Sequence, residues 1–399
     1  MPDDMFDIAI VGAGIAGAGL AAELGSGLRI ALLEQEAQPG YHATGRSAAA
    51  FAEHHRSEVV RLLSRASRGF LDSPPAGFCD VPLLTPRGYL FVARGDQIEQ
   101  LRALHALPAV RANARWLTSV QACAQMPLLR DDYVDAALLD ESATDIDVHA
   151  LHQGYIATTR RQGARIFCSA RVNAIERRSD RWRLITSAGV FEAALVVNAA
   201  GAWADEIAAM ANVARLGLQP LRRSAALVDV PDPIGMERWP MCLDVGGEFY
   251  FKPDAGRLLI SPSDEISSDP CDAMPDDFDL AIAVDRIERA TTLNVRRMHS
   301  RWAGLRTFAP DRTPIVGFDP EVSGFYWLAG QGGTGIQVAP ALSRLAASQL
   351  LGRSTPPELL DVGFDPRALS PERLRTPHSR ISTDATRTSG LVYCTSSNP

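Results

Sequence analysis

The run DIAIVGAGIAGAGLAAEL, residues 7–24, sets Gly12, Gly14 and Gly17 in the spacing G-x-G-x-x-G. Ahead of it, Phe6 to Val11 is a short apolar run suited to a buried parallel strand. Behind it, Ile15 to Leu24 is rich in small, helix-forming residues, and Arg29 to Leu33 reads as a second strand ending at Glu34. A β-α-β unit is thus complete within about thirty residues. Each glycine has its own task there. The first permits a tight turn, the second lets a pyrophosphate approach the backbone, and the third lets helix and strand pack closely. The helix start offers free N–H groups and a partial positive charge to phosphates. Gly12, Ala13, Gly14, Ile15, Ala16 and Gly17 are therefore the candidate cradle of a dinucleotide. Glu34, with Gln35 beside it, is placed to accept ribose hydroxyls, and its charge would repel a 2′-phosphate, which disfavours NADP.

A chain of 399 residues exceeds the usual single domain, so two domains sharing one body are expected. With 46% hydrophobic residues it can bury a sizeable core, and its net charge of -7, without segregated basic stretches, argues against a nucleic-acid partner. The six cysteines, at 79, 123, 168, 242, 271 and 394, show neither a CxxC pair nor metal-ligand spacing. They imply buried thiols in a reducing cytoplasm and no metal site. Asp3 and Asp4 precede the first strand where a signal peptide would be basic. No window reaches the roughly 18 apolar residues that span a bilayer. A cytoplasmic protein is expected, with peripheral contact to a membrane quinone pool left open.

Further helices are expected at Ser57–Phe70, Leu101–Leu107, Val120–Ala124 and His149–Arg161, and a second buried strand at Leu195–Asn198 leads into AAGAW. Strands alternate from Arg223 to Ile260, and the last long pattern, from Gly324, is strand, glycine turn, helix. Asp264 to Asp279, with seven acidic side chains, reads as a solvated loop. The expected fold is α/β (α+β): a Rossmann-type nucleotide domain from 1–50, 145–222 and 300–375, interleaved with an antiparallel-sheet substrate domain from 51–144 and 223–299. The Ser- and Thr-rich tail 376–399 is expected to be disordered.

The loop EQEAQPGYHATGRSAAA, residues 34–50, decides between NAD and FAD. A glycine-containing loop that runs on into small residues suits a long, extended cofactor. Arg46, Ser47 and Ala48 would then lie near its pyrophosphate or isoalloxazine end, with a helix N-cap as the alternative role of Ser47. These segments, together with PPAGFCDVPLLTPRG, DIDVHALHQGY, VVNAAGAWADEIA, LGLQPLRRSA, FYFKPDAG, WAGLRTF and GQGGTGIQ, resemble the D-amino acid oxidase superfamily of FAD-dependent oxidoreductases. Within it they resemble the D-arginine dehydrogenase type, over about residues 5–375.

The resemblance implies a glutathione-reductase-like FAD fold and oxidation of a D-amino acid by hydride transfer from Cα to the flavin. The imino acid is then hydrolysed to a 2-oxo acid and ammonia. It implies a carboxylate clamp of Arg306, Arg223 and Tyr250, the arginine fork being suited to gripping both oxygens. It places Gly332, Gly333, Thr334, Gly335 and Ile336 at the flavin, where N–H groups would face charge that builds on reduction. Ala200 and Gly201 would allow close approach of the cofactor, Val172 would meet adenine, and His55 falls in a lid segment that carries a tyrosine in the resembled type. Where that type has a glutamate for a basic substrate, this chain has Tyr89. A pocket of Tyr89, Met241, Leu243 and Tyr250 implies neutral D-amino acids rather than basic ones. With no cysteine between Cys271 and Cys394, FAD is expected to be noncovalent, and its electrons to pass to a quinone or another acceptor. A secondary-amine oxidase of the sarcosine, glycine or proline kind, a flavin-binding protein without turnover, and an NAD dehydrogenase are the alternatives.

Overall fold

The strand Met5–Val11 is the axis of the molecule. It runs parallel to Ile30–Leu33 on one side and to Gly189–Asn198 on the other, with Ile8 opposite both Ile30 and Leu195. The computed structural model describes residues 5–54, 56–231 and 235–375; the tail 376–399 lies outside the described residues. Arg165–Phe167 and Phe325–Ala329 extend the parallel core. The hairpin Val172–Arg178 and Arg181–Thr186, together with Ile315–Phe318, completes eight strands in antiparallel fashion. Alternation sorts the side chains: Ile8, Ile10 and Leu32 join one core, whereas Ala9, Val11, Ala31 and Leu33 join another. Helices Ile15–Leu24, Val148–Arg161 and Gly335–Leu350 cover the first face, and Ala204–Met210 covers the second.

A second sheet of nine strands stands beside it. Its chain neighbours run antiparallel except one pair, Met241–Asp244 and Tyr89–Ala93, which is parallel. That pair joins segments 152 residues apart in the chain, so the sheet is mixed rather than purely antiparallel. Gln219–Val228 and Met298–Phe308 pair along their length, from Gln219 opposite Phe308 to Val228 opposite Met298. Residues 300–308, expected in the nucleotide body, therefore belong to this second sheet. A small third sheet joins Ala50–Phe51, Leu84–Pro86 and Thr144–Ile146.

Two local readings meet different outcomes. No helix begins at Ser47; the next starts at Glu58 with Ser57 at its N-cap. The acidic stretch is largely exposed and irregular over residues 268–276, as expected, but it is not all loop. It holds a short strand, Ile266–Ser267, and the start of a helix, Asp277–Ala290, whose Leu280, Ala283 and Ile287 form a buried stripe. Asp264, nearly buried, accepts from the Ser224 N–H at 2.7 Å and the Ser224 hydroxyl at 2.9 Å. Of the described cysteines, all free, only Cys242 is buried, so the expectation of buried thiols holds for that one. Among the described residues no helix is long and apolar enough to cross a membrane.

Candidate functional site

A cavity of about 990 Å³, its open mouth included, borders Val11 and Leu33 at the carboxyl ends of the parallel strands, the place where open α/β sheets bind ligands. Gly12, Gly14, Glu34 and Gln35 line it, as do Val172, Ala200 and Gly201. The glycines are small for reasons the geometry makes plain. Gly12 has φ +103°, and a Cβ there would come within 2.5 Å of the Ala199 carbonyl oxygen. A Cβ on Gly17 would fall 1.9 Å from the Gly12 carbonyl oxygen, so this glycine lets the helix seat against its own turn. Bare backbone on the cavity wall, a helix start and a buried acid at the end of the second strand together fit the nucleotide half of FAD.

Glu34 does more than the sequence implied. Its Oε2 accepts the Ala13 N–H at 2.9 Å and its Oε1 accepts the Glu36 N–H at 3.0 Å, so it braces the turn from within the wall. Burial pushes its carboxyl above the usual range, against those two donors. Ile15 donates its N–H to Thr44 Oγ1 at 3.0 Å, and the buried His152 ring donates from Nε2 to the Ala13 carbonyl at 2.9 Å. Burial holds His152 below its ordinary pKa. Thr44, His152 and the aromatic wall of Tyr41, His42 and Trp203 escaped the sequence reading. Thr44 and His152 act on a turn 29 and 139 residues away, a separation no local pattern encodes.

Arg46 lines the cavity, but its guanidinium is turned to protein oxygens: Nη1 donates to the Ala273 and Ala303 carbonyls at 2.9 and 3.0 Å, and Nη2 pairs with Asp272. Ser47 is not in the cavity wall, and Ala48 packs instead beside the Tyr89 cluster. Nor do Gly332 to Ile336 border this cavity. They shape the corner before the last helix. The Gly332 N–H donates to the Thr307 carbonyl at 2.8 Å, Thr334 precedes the helix, and Ile336 enters the first core. A Cβ on Gly333 would sit 3.1 Å from Arg306 Nη1, so this glycine makes room for that guanidinium.

The expected clamp and pocket come together on the second sheet. Tyr89 lies opposite Met241, and Leu243 lies opposite Tyr250; all four are buried in one cluster with Ala52. The Arg223 guanidinium lies 5.9 Å from the centroid of the Tyr250 ring. Its Nε donates to the Asp264 carbonyl at 2.6 Å, and Glu265 is 3.4 Å away. Burial, and next the charge of Arg306, draw the Arg223 pKa down to about 10, against Tyr250 and the two acids. Arg306 makes no hydrogen bond or ion pair among the described residues, yet its charge reaches Tyr89, Arg223 and Tyr250. Burial raises the Tyr250 hydroxyl, but Arg306 and Arg223 outweigh it and bring its pKa below the ordinary value. Tyr89 is pushed up to about 12 by burial, which outweighs the opposing charges of Arg56 and Arg306. Arg223 thus has acids beside it, whereas Arg306 has none paired with it among the described residues. Arg222, on the opposite face, pairs instead with Asp279 at 2.6 Å. His55 lies outside the described residues.

The profile of the family described as FAD dependent oxidoreductase (DAO) matches residues 7–349. FAD-dependent oxidoreductase domain-containing protein 1 of Bos taurus is 31% identical over 176 residues, 40% of this chain. That match spans 36% of the relative, about a third of its length. Glycine oxidase of Geobacillus kaustophilus is 23% identical over 88% of this chain and 94% of its own. Its crystal structure superposes with a TM-score of 0.77, covering 92% of this chain and 98% of that one. The structure of L-proline dehydrogenase from P. horikoshii, 20% identical, gives 0.77 over 93% and 98%. At such identities the superpositions speak for a shared fold.

Proposed function

The chain belongs to the DAO family of FAD-dependent oxidoreductases, with FAD as its cofactor, and on that premise we propose that it oxidises small amines that carry a carboxylate, D-amino acids foremost. The observation that carries this reading is the unbalanced charge of the chamber: two guanidiniums and an acidified tyrosine with no matching anion on Arg306. A substrate carboxylate supplies the missing charge. The D configuration is taken from the family resemblance.

Gly12, Gly14 and the helix start would hold the pyrophosphate of FAD, and Glu34 its ribose. Bound FAD supplies the acceptor for the two electrons and the hydrogen that leave Cα. Arg306 and Arg223 grip the carboxylate, and the Tyr250 hydroxyl donates to it; together they fix the orientation of Cα. Gly333 keeps space for the Arg306 fork. Tyr89, Met241 and Leu243 exclude water from the side-chain end. With a pKa near 12, Tyr89 stays protonated and is no base at neutral pH, so the substrate enters with a neutral amine whose lone pair drives loss of the hydride. The imine is hydrolysed by water. FAD is held without a covalent bond.

Oxidation of a secondary amine is the second reading. It is favoured by the similarity to L-proline dehydrogenase, whose named substrate is a secondary amine, and a clamp that grips only the carboxylate admits either kind of amine. An anaerobic screen of D-, L- and N-methyl amino acids, scored by loss of flavin absorbance and followed by air or quinone, decides between them. Bleaching by none of these compounds would overturn both.

A further inference from the structure

We infer that Arg46 is a positioning residue that holds one wall of the cofactor cavity in place, latching residues 271–273 through Asp272 with the help of Tyr41. Cys271 and Ala273 share the cavity wall with Tyr41 and Arg46. They belong to the stretch between Ile266–Ser267 and the helix Asp277–Ala290, so the second sheet's side of the chain closes a cavity built on the first. Arg46 is mostly buried and spends its donors on Ala273, Ala303 and Asp272. The Tyr41 hydroxyl donates to the other Asp272 oxygen at 3.2 Å, and the Arg46 guanidinium lies 4.9 Å from the Tyr41 ring centroid.

The two sides of this latch are not held alike. The Arg46 backbone is fixed, because Trp302 Nε1 donates to its carbonyl at 3.0 Å and Thr44 is tied to the dinucleotide turn. The 271–273 side rests on these polar contacts and on Ala273, which packs against Ala202, Ala303 and Leu305. The 271–273 side is therefore the one that depends on the latch. The Asp272 side chain is 54% exposed, so salt reaches the latch. Arg46 holds FAD by holding the wall, not by contacting its phosphates.

The test measures release of FAD from the holoenzyme on dilution, read as the rise in flavin fluorescence. Asp272→Asn should release FAD about 3- to 10-fold faster than the parent, and Arg46→Ala roughly tenfold or more, with Arg46→Lys between. The gap between parent and Asp272→Asn should narrow as salt rises from about 0.02 to 0.5 M, because screening weakens the pair only where it exists. Release by Asp272→Asn and Arg46→Ala within twofold of the parent overturns the proposal. So does a gap that stays constant with salt, since a merely weakened fold would behave that way.

Discussion

Arg223 and Arg306 stand on the same face of neighbouring strands, because Arg306 lies opposite Leu221 while Arg223, two residues on, lies opposite Gly304. Diagonal neighbours of this kind are within reach of each other's long side chains. The charge of Arg306 disfavours that of Arg223, and on the proposed reading a substrate carboxylate would relieve that repulsion.

Removal of one partner from a charge pair buried with substrate costs about 2–5 kcal/mol. Arg306→Ala should therefore lower kcat/KM by roughly 30- to 3,000-fold while FAD stays bound. Arg306→Lys should recover only part of the loss, because an ammonium lacks the planar fork. Steady-state kinetics beside the flavin absorbance ratio checks both; undiminished turnover in Arg306→Ala removes this residue from the clamp.

Tyr250 makes KM depend on pH. Its phenol ionises below the ordinary value because burial is outweighed by the two guanidiniums. As pH rises through that lowered pKa, a phenolate forms between the arginines and competes with the substrate carboxylate. KM should climb there, and the climb should vanish in Tyr250→Phe. The same lowered pKa adds stability that is complete above about 10, the unfolded value, and is lost as pH falls through the folded one. Melting temperatures of the two proteins near neutrality should not differ from this source.

The dinucleotide turn depends on a hydroxyl that no fingerprint includes. Thr44→Val leaves the Ile15 N–H without its acceptor, a loss of about 1–3 kcal/mol. Expressed in the affinity for FAD, that is roughly 5- to 150-fold, measurable by titrating apoprotein and following flavin fluorescence. Gly17→Ala, which drives a methyl into the Gly12 carbonyl, should yield colourless protein.

The parts of the molecule legible in the sequence are those encoded locally. The strand Met5–Val11, the helix Ile15–Leu24 and the acid at 34 fall within one short span, so spacing alone places them. Arg223, Tyr250 and Arg306 carried no local signal and came from resemblance; adjacency in the second sheet is what brings them together. Arg46 shows the limit. A basic residue in a glycine loop reads as a phosphate ligand, yet its acceptors are supplied by Asp272, Ala273 and Ala303, more than 220 residues away. The helix Asp277–Ala290 was hidden by its own acids, which mask a stripe of apolar residues at helical spacing.

Noncovalent attachment is open to a direct check, and Cys271 sharpens it by placing a thiol in the cavity wall. Acid precipitation should leave the flavin in the supernatant and the pellet white. A yellow pellet that turns white in Cys271→Ser would assign a covalent link to that thiol instead.

Side-chain selectivity turns on what surrounds Tyr89. Asp145 is a carboxylate whose charge reaches its hydroxyl. Both of its oxygens are engaged: Oδ2 accepts from Arg87 Nε at 2.7 Å and Oδ1 from Lys252 Nζ at 2.8 Å. A guanidinium or ammonium entering against Tyr89, Met241 and Leu243 would meet buried apolar surface and the repelling charge of Arg56, with Asp145 already engaged, and burying an unpaired cation is costly. D-Leucine and D-methionine should therefore exceed D-arginine and D-lysine in kcat/KM by about tenfold or more. Tyr89→Glu, which restores a carboxylate at this wall, should move the D-arginine to D-leucine ratio up by roughly 10- to 100-fold. A substrate panel in which D-arginine leads for the parent, or in which Tyr89→Glu leaves the ratio unchanged, would remove Tyr89 as the residue that reads the side chain.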